Sequence, residues 1–163
     1  MRWFRFTVLV LLVTIVQGSI LAEMSVGPNL LLVLLVFFAT YYESTDAMTA
    51  AFAIGFAADL IGSPAMPMGP QTVSFGLLGT GLAQLHRVIT TRRIGYQVVA
   101  IFITAALAGV LAQVLAYFKG RAPAPEFWTV IFGVALYSSL VGPFFFLPTA
   151  WWMRINTSRF ARK

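Results

Sequence analysis

The chain has no cysteine and one histidine, His86. Disulfides, thiol nucleophiles and cysteine-ligated metal sites are therefore excluded. Charge is scarce too: Asp, Glu, Lys and Arg make up 10% of the 163 residues, and only five of them are acidic. A soluble domain carries roughly 25% charged residues, so this chain has too little polar surface to cover a globule in water. It contains no Gly-rich phosphate loop, no HExxH pair and no Cys/His cluster. His86 has no acid–nucleophile set around it and reads as an interfacial residue that opens a basic stretch. Intramembrane hydrolysis or carboxylate-based transport would need paired acids within the apolar segments, and Asp59 stands alone there. The expectation is a protein without enzymatic activity, cofactor or metal.

What the chain has is apolar sequence, 60% of it hydrophobic. Six apolar segments are separated by polar links, at about 6–22, 28–42, 47–61, 70–85, 94–118 and 127–153. Crossing a bilayer core takes ~20 apolar residues in a helix. Backbone groups left unpaired in lipid are costly, so helices are the open-chain solution. The segments are apolar all round rather than alternating, which argues against a β-barrel. The expected fold is an all-α integral membrane protein: one polytopic domain, residues 1–163, with six transmembrane helices. The first segment follows Arg2 and Arg5 as a signal peptide would. It lacks a clean small-x-small cleavage site, so a retained first helix is expected. The second and third segments are short. Their polar link, Glu43 to Asp46, offers Ser44, Thr45 and Asp46 as N-caps for the third helix. A tight hairpin of two short spans is favoured there over a re-entrant pair.

The formal charge of +6 does not point to nucleic acid, because the basic residues sit between apolar segments and at the ends. With the N-terminus inside, Arg2, Arg5, Arg87, Arg92, Arg93, Arg154, Arg159, Arg162 and Lys163 face the cytoplasm, nine of the 11 Lys and Arg. Only Lys119 and Arg121 fall outside. Such a bias predicts a multi-pass membrane protein with both termini cytoplasmic and lipid as its surroundings. Small residues mark where helices approach closely. They form rows in the third segment (Ala47/Ala51/Gly55), the fourth (Gly76/Thr80, Gly79/Ala83) and the fifth (Ala105/Gly109). These three helices are the expected packed centre, and Gly142-Pro143 is an expected kink in the sixth.

One stretch, Ala47 to Gly69, carries the main candidate. Ala47, Ala51, Gly55 and Asp59 share a helical face by their i, i+4 spacing. A carboxylate within apolar sequence costs roughly 2.5–3.5 kcal/mol on insertion scales and should face the bundle interior. Three roles are open to Asp59. It can tie the following loop and the start of the fourth helix, whose dipole favours an anion. It can contact a partner, or it can serve a ligand or proton. Gln17, Gln71, Gln84, Gln97 and Gln113 are scattered over three helices without visible convergence.

Pro28 to Leu85 as a whole resembles the MreD family of bacterial rod shape-determining proteins. The resemblance rests on Pro28-Asn29 opening an apolar helix, then Gly55-Phe56-Ala57-Ala58-Asp59-Leu60, Gly62-Ser63 and Met68-Gly69. Members often carry Asp where this chain has Asn29, and the turn here is longer, with Pro64, Pro67 and Pro70. The resemblance implies structural or partner-binding roles for Pro28, Asn29, Gly55, Asp59, Leu60, Gly62, Ser63, Met68 and Gly69. It also implies a non-catalytic scaffold of the cell-elongation machinery (the elongasome), which makes lateral peptidoglycan. Such a scaffold binds MreC and works with RodA, a class B penicillin-binding protein and, directly or indirectly, MreB. The family is similar in fold to the S components of energy-coupling-factor transporters, which supplies an alternative: a vitamin-binding S component.

Overall fold

The computed structural model describes residues 3–21, 27–62, 69–85, 94–120 and 126–153. All regular structure among them is helical. Helix α1 (Trp3–Val16) runs into a π-helical turn, Gln17–Leu21. Then come α2 (Leu30–Tyr41), α3 (Ser44–Ile61), α4 (Pro70–Leu85), α5 (Ile94–Phe118) and α6 (Phe127–Trp152). Helix α3 begins earlier than its apolar run. Its N-cap is Glu43, so Ser44, Thr45 and Asp46 lie in the first turn rather than capping it. Asp46 is well placed there, because the positive end of the helix dipole favours an acid.

The centre of the bundle is α2. Every residue from Leu30 to Ala39 is buried, and α2 touches each of the other five helices. This corrects the expectation that α3, α4 and α5 form the centre. Small residues show where two backbones come close, whereas the helix that fills the middle must be apolar on all sides. LLLVLLVFFA in α2 meets that requirement. By contrast, much of α5 is half-exposed, with Ile101, Thr104, Ala105 and Ala108 turned inward.

The small residues act one layer out, in the tight α3/α4 pair. A Cβ on Gly55 would lie 2.8 Å from Thr72 Cα and 3.0 Å from the Gln71 carbonyl oxygen. Gly79 packs on Ala51, and Gly76 on the ring of Phe52. In the α5/α6 pair, Gly109 faces Ile131 and Gly142 faces Ile101. Helix α6 is assigned as one helix through Pro143 and Pro148.

Two contacts fix which ends lie together. Arg5 Nη1 donates to the Trp152 carbonyl oxygen at 3.4 Å, and Trp152 Nε1 donates to the Arg5 carbonyl oxygen at 3.3 Å. The start of α1 and the end of α6 therefore share one end of the bundle. Gln97 Nε2 donates to Tyr41 Oη at 2.8 Å, which brings the start of α5 to the end of α2. Aromatic rings fill the space near the end of α2, with Phe6 edge-on to Phe38 and Phe37 edge-on to Phe146. Outward-facing side chains are largely apolar, among them Leu11, Ile15, Phe56, Leu107, Leu136 and Leu147. Two helical stretches, Gln97–Phe118 and Phe127–Trp152, are long and apolar enough to cross a membrane.

The glycine contacts predict opposite outcomes at two positions. Gly55→Leu forces α3 off α4 and should lower stability by about 1–3 kcal/mol, the usual cost of overpacking. Gly81 has no atom within 4 Å of a built Cβ. Gly81→Ala should leave stability unchanged or raise it by up to ~1 kcal/mol through helix propensity. Thermal unfolding in detergent micelles measures both.

Candidate functional site

The first turn of α4 shows how its amides are satisfied. Gly69 precedes it with φ +112°, a backbone angle that glycine adopts without steric cost. Pro70 is the first helical residue and has no N–H to satisfy. Val73 N donates to the Gly69 carbonyl oxygen at 3.0 Å, the first bond within the helix. The amides of Gly69, Gln71 and Thr72 remain, and all three point at Asp59 of α3. Oδ2 accepts from Gly69 N at 3.0 Å and Thr72 N at 2.8 Å, and Oδ1 accepts from Gln71 N at 3.1 Å. The Thr72 hydroxyl donates to Oδ2 as well.

A carboxylate offers about four acceptor positions, and four donors occupy it. The half-buried Asp59 thus serves as an N-cap supplied from a neighbouring helix, and its negative charge lies at the positive end of the α4 dipole. Its main chain ends α3 at the same point: Asp59 O accepts from the N–H of Gly62, the C-cap. A Cβ on Gly69 would lie 3.4 Å from Lys119 Nζ, so a cation from the end of α5 sits beside this cap.

A second cap is built the same way at α2. Asn29 Oδ1 accepts from Leu32 N at 3.0 Å. Gln17 Oε1 accepts from Leu30 N at 2.8 Å and Leu31 N at 3.3 Å. Gln17 Nε2 reaches Asn29 Oδ1 at 3.5 Å, and Asn29 N donates to Ser138 Oγ of α6 at 2.8 Å. Gln17 opens the π-helical turn, a distortion that is rare outside functional or strained segments. The network joins α1, α2 and α6 around amides that would otherwise lack acceptors. Between the two caps lies a cleft of about 160 Å³, lined by Asn29, Gln71, Phe75, Ala108, Gly109 and Ile131.

The structure gathers some of the sequence candidates and separates others. Asp59, Gly62 and Gly69 meet at the α3/α4 junction, and Gly55 packs one turn away against Thr72. Asn29 belongs to the second cap, with Pro28 beside it in the chain. Leu60 points outward, 55% exposed, and takes no part in the Asp59 cap. Ser63 and Met68 lie outside the described residues, as do His86 and the basic residues between α4 and α5. Sequence reasoning missed Thr72 and Ser138 and left Gln17 without a partner. The signals were present: Thr72 stands third in the helix after Gly69-Pro70, and Ser138-Ser139 is a polar pair inside an apolar helix.

A family model described as rod shape-determining protein MreD matches residues 1–155. The chain belongs to the MreD family. No curated protein and no solved structure matches it. Membership implies a role in rod shape determination, and MreD proteins are membrane proteins.

Both caps predict stability losses in this MreD protein. Asp59→Ala leaves four donors without their acceptor, and each unmet buried donor costs roughly 1–3 kcal/mol. Because water reaches part of the site, a total loss of about 3 kcal/mol is expected, with a smaller loss for Asp59→Asn. Gln17→Ala strands the Leu30 and Leu31 amides and should cost about 2 kcal/mol. Unfolding midpoints in detergent measure each variant.

Proposed function

We propose that this MreD protein is a non-catalytic membrane scaffold of the bacterial cell-elongation machinery, which binds MreC and thereby helps maintain rod shape. RodA, a class B penicillin-binding protein and MreB are further partners, reached directly or through MreC. The protein sits in the inner membrane with six spans and both termini in the cytoplasm. The observation that carries this reading is the family match over residues 1–155. The use of Asp59 supports it, since the carboxylate that would be suspected of chemistry is filled by four donors. A shared side for both termini is supported by the Arg5–Trp152 contacts, which bring the start of α1 and the end of α6 to one end of the bundle. Basic residues cluster at that end in the sequence, as positive-inside topology requires. The cleft between the two caps, about 160 Å³, is smaller than the ~300 Å³ at which small-molecule sites usually begin, so it lends no support to the alternative of a vitamin-binding S component.

Co-purification with MreC from membranes in mild detergent tests the scaffold role. Retention of MreC is expected, and its loss while the protein stays folded would overturn the reading. A second check uses the cysteine-free sequence. Lys119→Cys should react with a membrane-impermeant thiol reagent in intact spheroplasts, and Arg92→Cys only after permeabilisation. The reverse pattern would invert the topology.

A further inference from the structure

We propose that the seam between the start of α1 and the end of α6 binds the headgroup of an anionic phospholipid. The inference goes beyond the scaffold role but rests on the membrane placement proposed with it. Arg5 is the centre of the seam. One of its guanidinium N–H groups donates to the Trp152 carbonyl oxygen, where the negative end of the α6 dipole holds a cation. A guanidinium has five N–H donors in a planar fork suited to phosphate oxygens. Among the described residues, none supplies a carboxylate partner to Arg5.

Indoles surround this cation. Trp3, Trp151 and Trp152 are 45%, 80% and 40% exposed. Indoles with an apolar body and a polar N–H favour the level of lipid headgroups. From the seam an apolar strip runs along α6: Trp151, Leu147 and Phe144 are all strongly exposed and lie three or four residues apart on one helical face. This supplies a surface for an acyl chain directly beside a site for its phosphate.

Charge complementarity points the same way. Residues 1–22 and 127–163 contain six basic residues (Arg2, Arg5, Arg154, Arg159, Arg162 and Lys163) and no acidic one. These two stretches lie at opposite ends of the sequence, and the Arg5–Trp152 contact joins the start of α1 to the end of α6. Clusters of four to eight basic residues beside a membrane helix attract anionic lipid. At the same end of the bundle, Glu43 in the α2–α3 link and Asp46 in the first turn of α3 oppose this charge, while in the sequence Arg87, Arg92 and Arg93 stand between α4 and α5. The balance remains positive.

The test uses the full chain in a nonionic detergent, with the unfolding midpoint read after adding phosphatidylglycerol, phosphatidylcholine, inorganic phosphate or polyglutamate. Phosphatidylglycerol is expected to raise the midpoint clearly above phosphatidylcholine, and neither phosphate nor polyglutamate to raise it. Arg5→Gln should remove more than half of the phosphatidylglycerol-specific increment, and Arg121→Gln none of it. Trp151→Ala covers the case in which Arg5→Gln fails to fold. Its side chain packs little, and it too should reduce the increment. Equal shifts from the two lipids would overturn the proposal while leaving membrane placement intact. An increment unchanged in Arg5→Gln, or in Trp151→Ala, would also overturn it. A matching shift from inorganic phosphate would assign the seam to a free anion, and one from polyglutamate to an acidic protein segment.

Discussion

A helix that begins inside an apolar bundle exposes amide donors that lipid cannot satisfy. Two helices of this MreD protein begin that way, and the rest of the structure is arranged to supply their acceptors. For α4 the acceptor is one carboxylate on the preceding helix. For α2 it is a pair of amide side chains, Gln17 and Asn29, with Asn29 tied in turn to Ser138. The choice of groups suits each location. Asp59 is half-buried, in a cap whose Gly69 lies close to Lys119 Nζ, where a charge is tolerable, while neutral amides serve the start of the buried helix. An ion there would be far more costly to desolvate.

The caps also tie particular helices together. Asp59 and the Gly55, Ala51 and Gly79 contacts lock α3 and α4 into a single unit. Gln17, Asn29 and Ser138 do the same for α1, α2 and α6. Helix α2, 12 residues and thus ~18 Å long, is too short to match a ~30 Å hydrocarbon core. It is surrounded by protein on all sides, so lipid thickness does not constrain its length. The exposed side chains of the resulting bundle are largely apolar.

The helical class was legible because the apolar segments are uniform and no other open-chain structure satisfies a backbone in lipid. The face shared by Gly55 and Asp59 was legible too, since helical periodicity determines which residues align. The donors that fill Asp59 were not. They lie 10 to 13 residues away, across a Gly/Pro-rich turn whose path no periodicity specifies. Asn29 and Ser138 are 109 residues apart, and only tertiary packing brings them together. The central position of α2 was missed for a different reason. Small-residue rows report close approach, and in α3 and α4 that approach lies at the side of the bundle rather than in its middle.

Amide hydrogen exchange resolved to single residues tests the cap on α4 most directly. In the native protein, the amides of Gly69, Gln71 and Thr72 should exchange slowly for a helix start. In Asp59→Ala they should exchange at least tenfold faster, a loss of ~1.4 kcal/mol or more in local protection. Leu30, Leu31 and Leu32, held by the other cap, should keep their rates. Unchanged exchange at Gln71 and Thr72 would contradict the claim that Asp59 holds the start of α4.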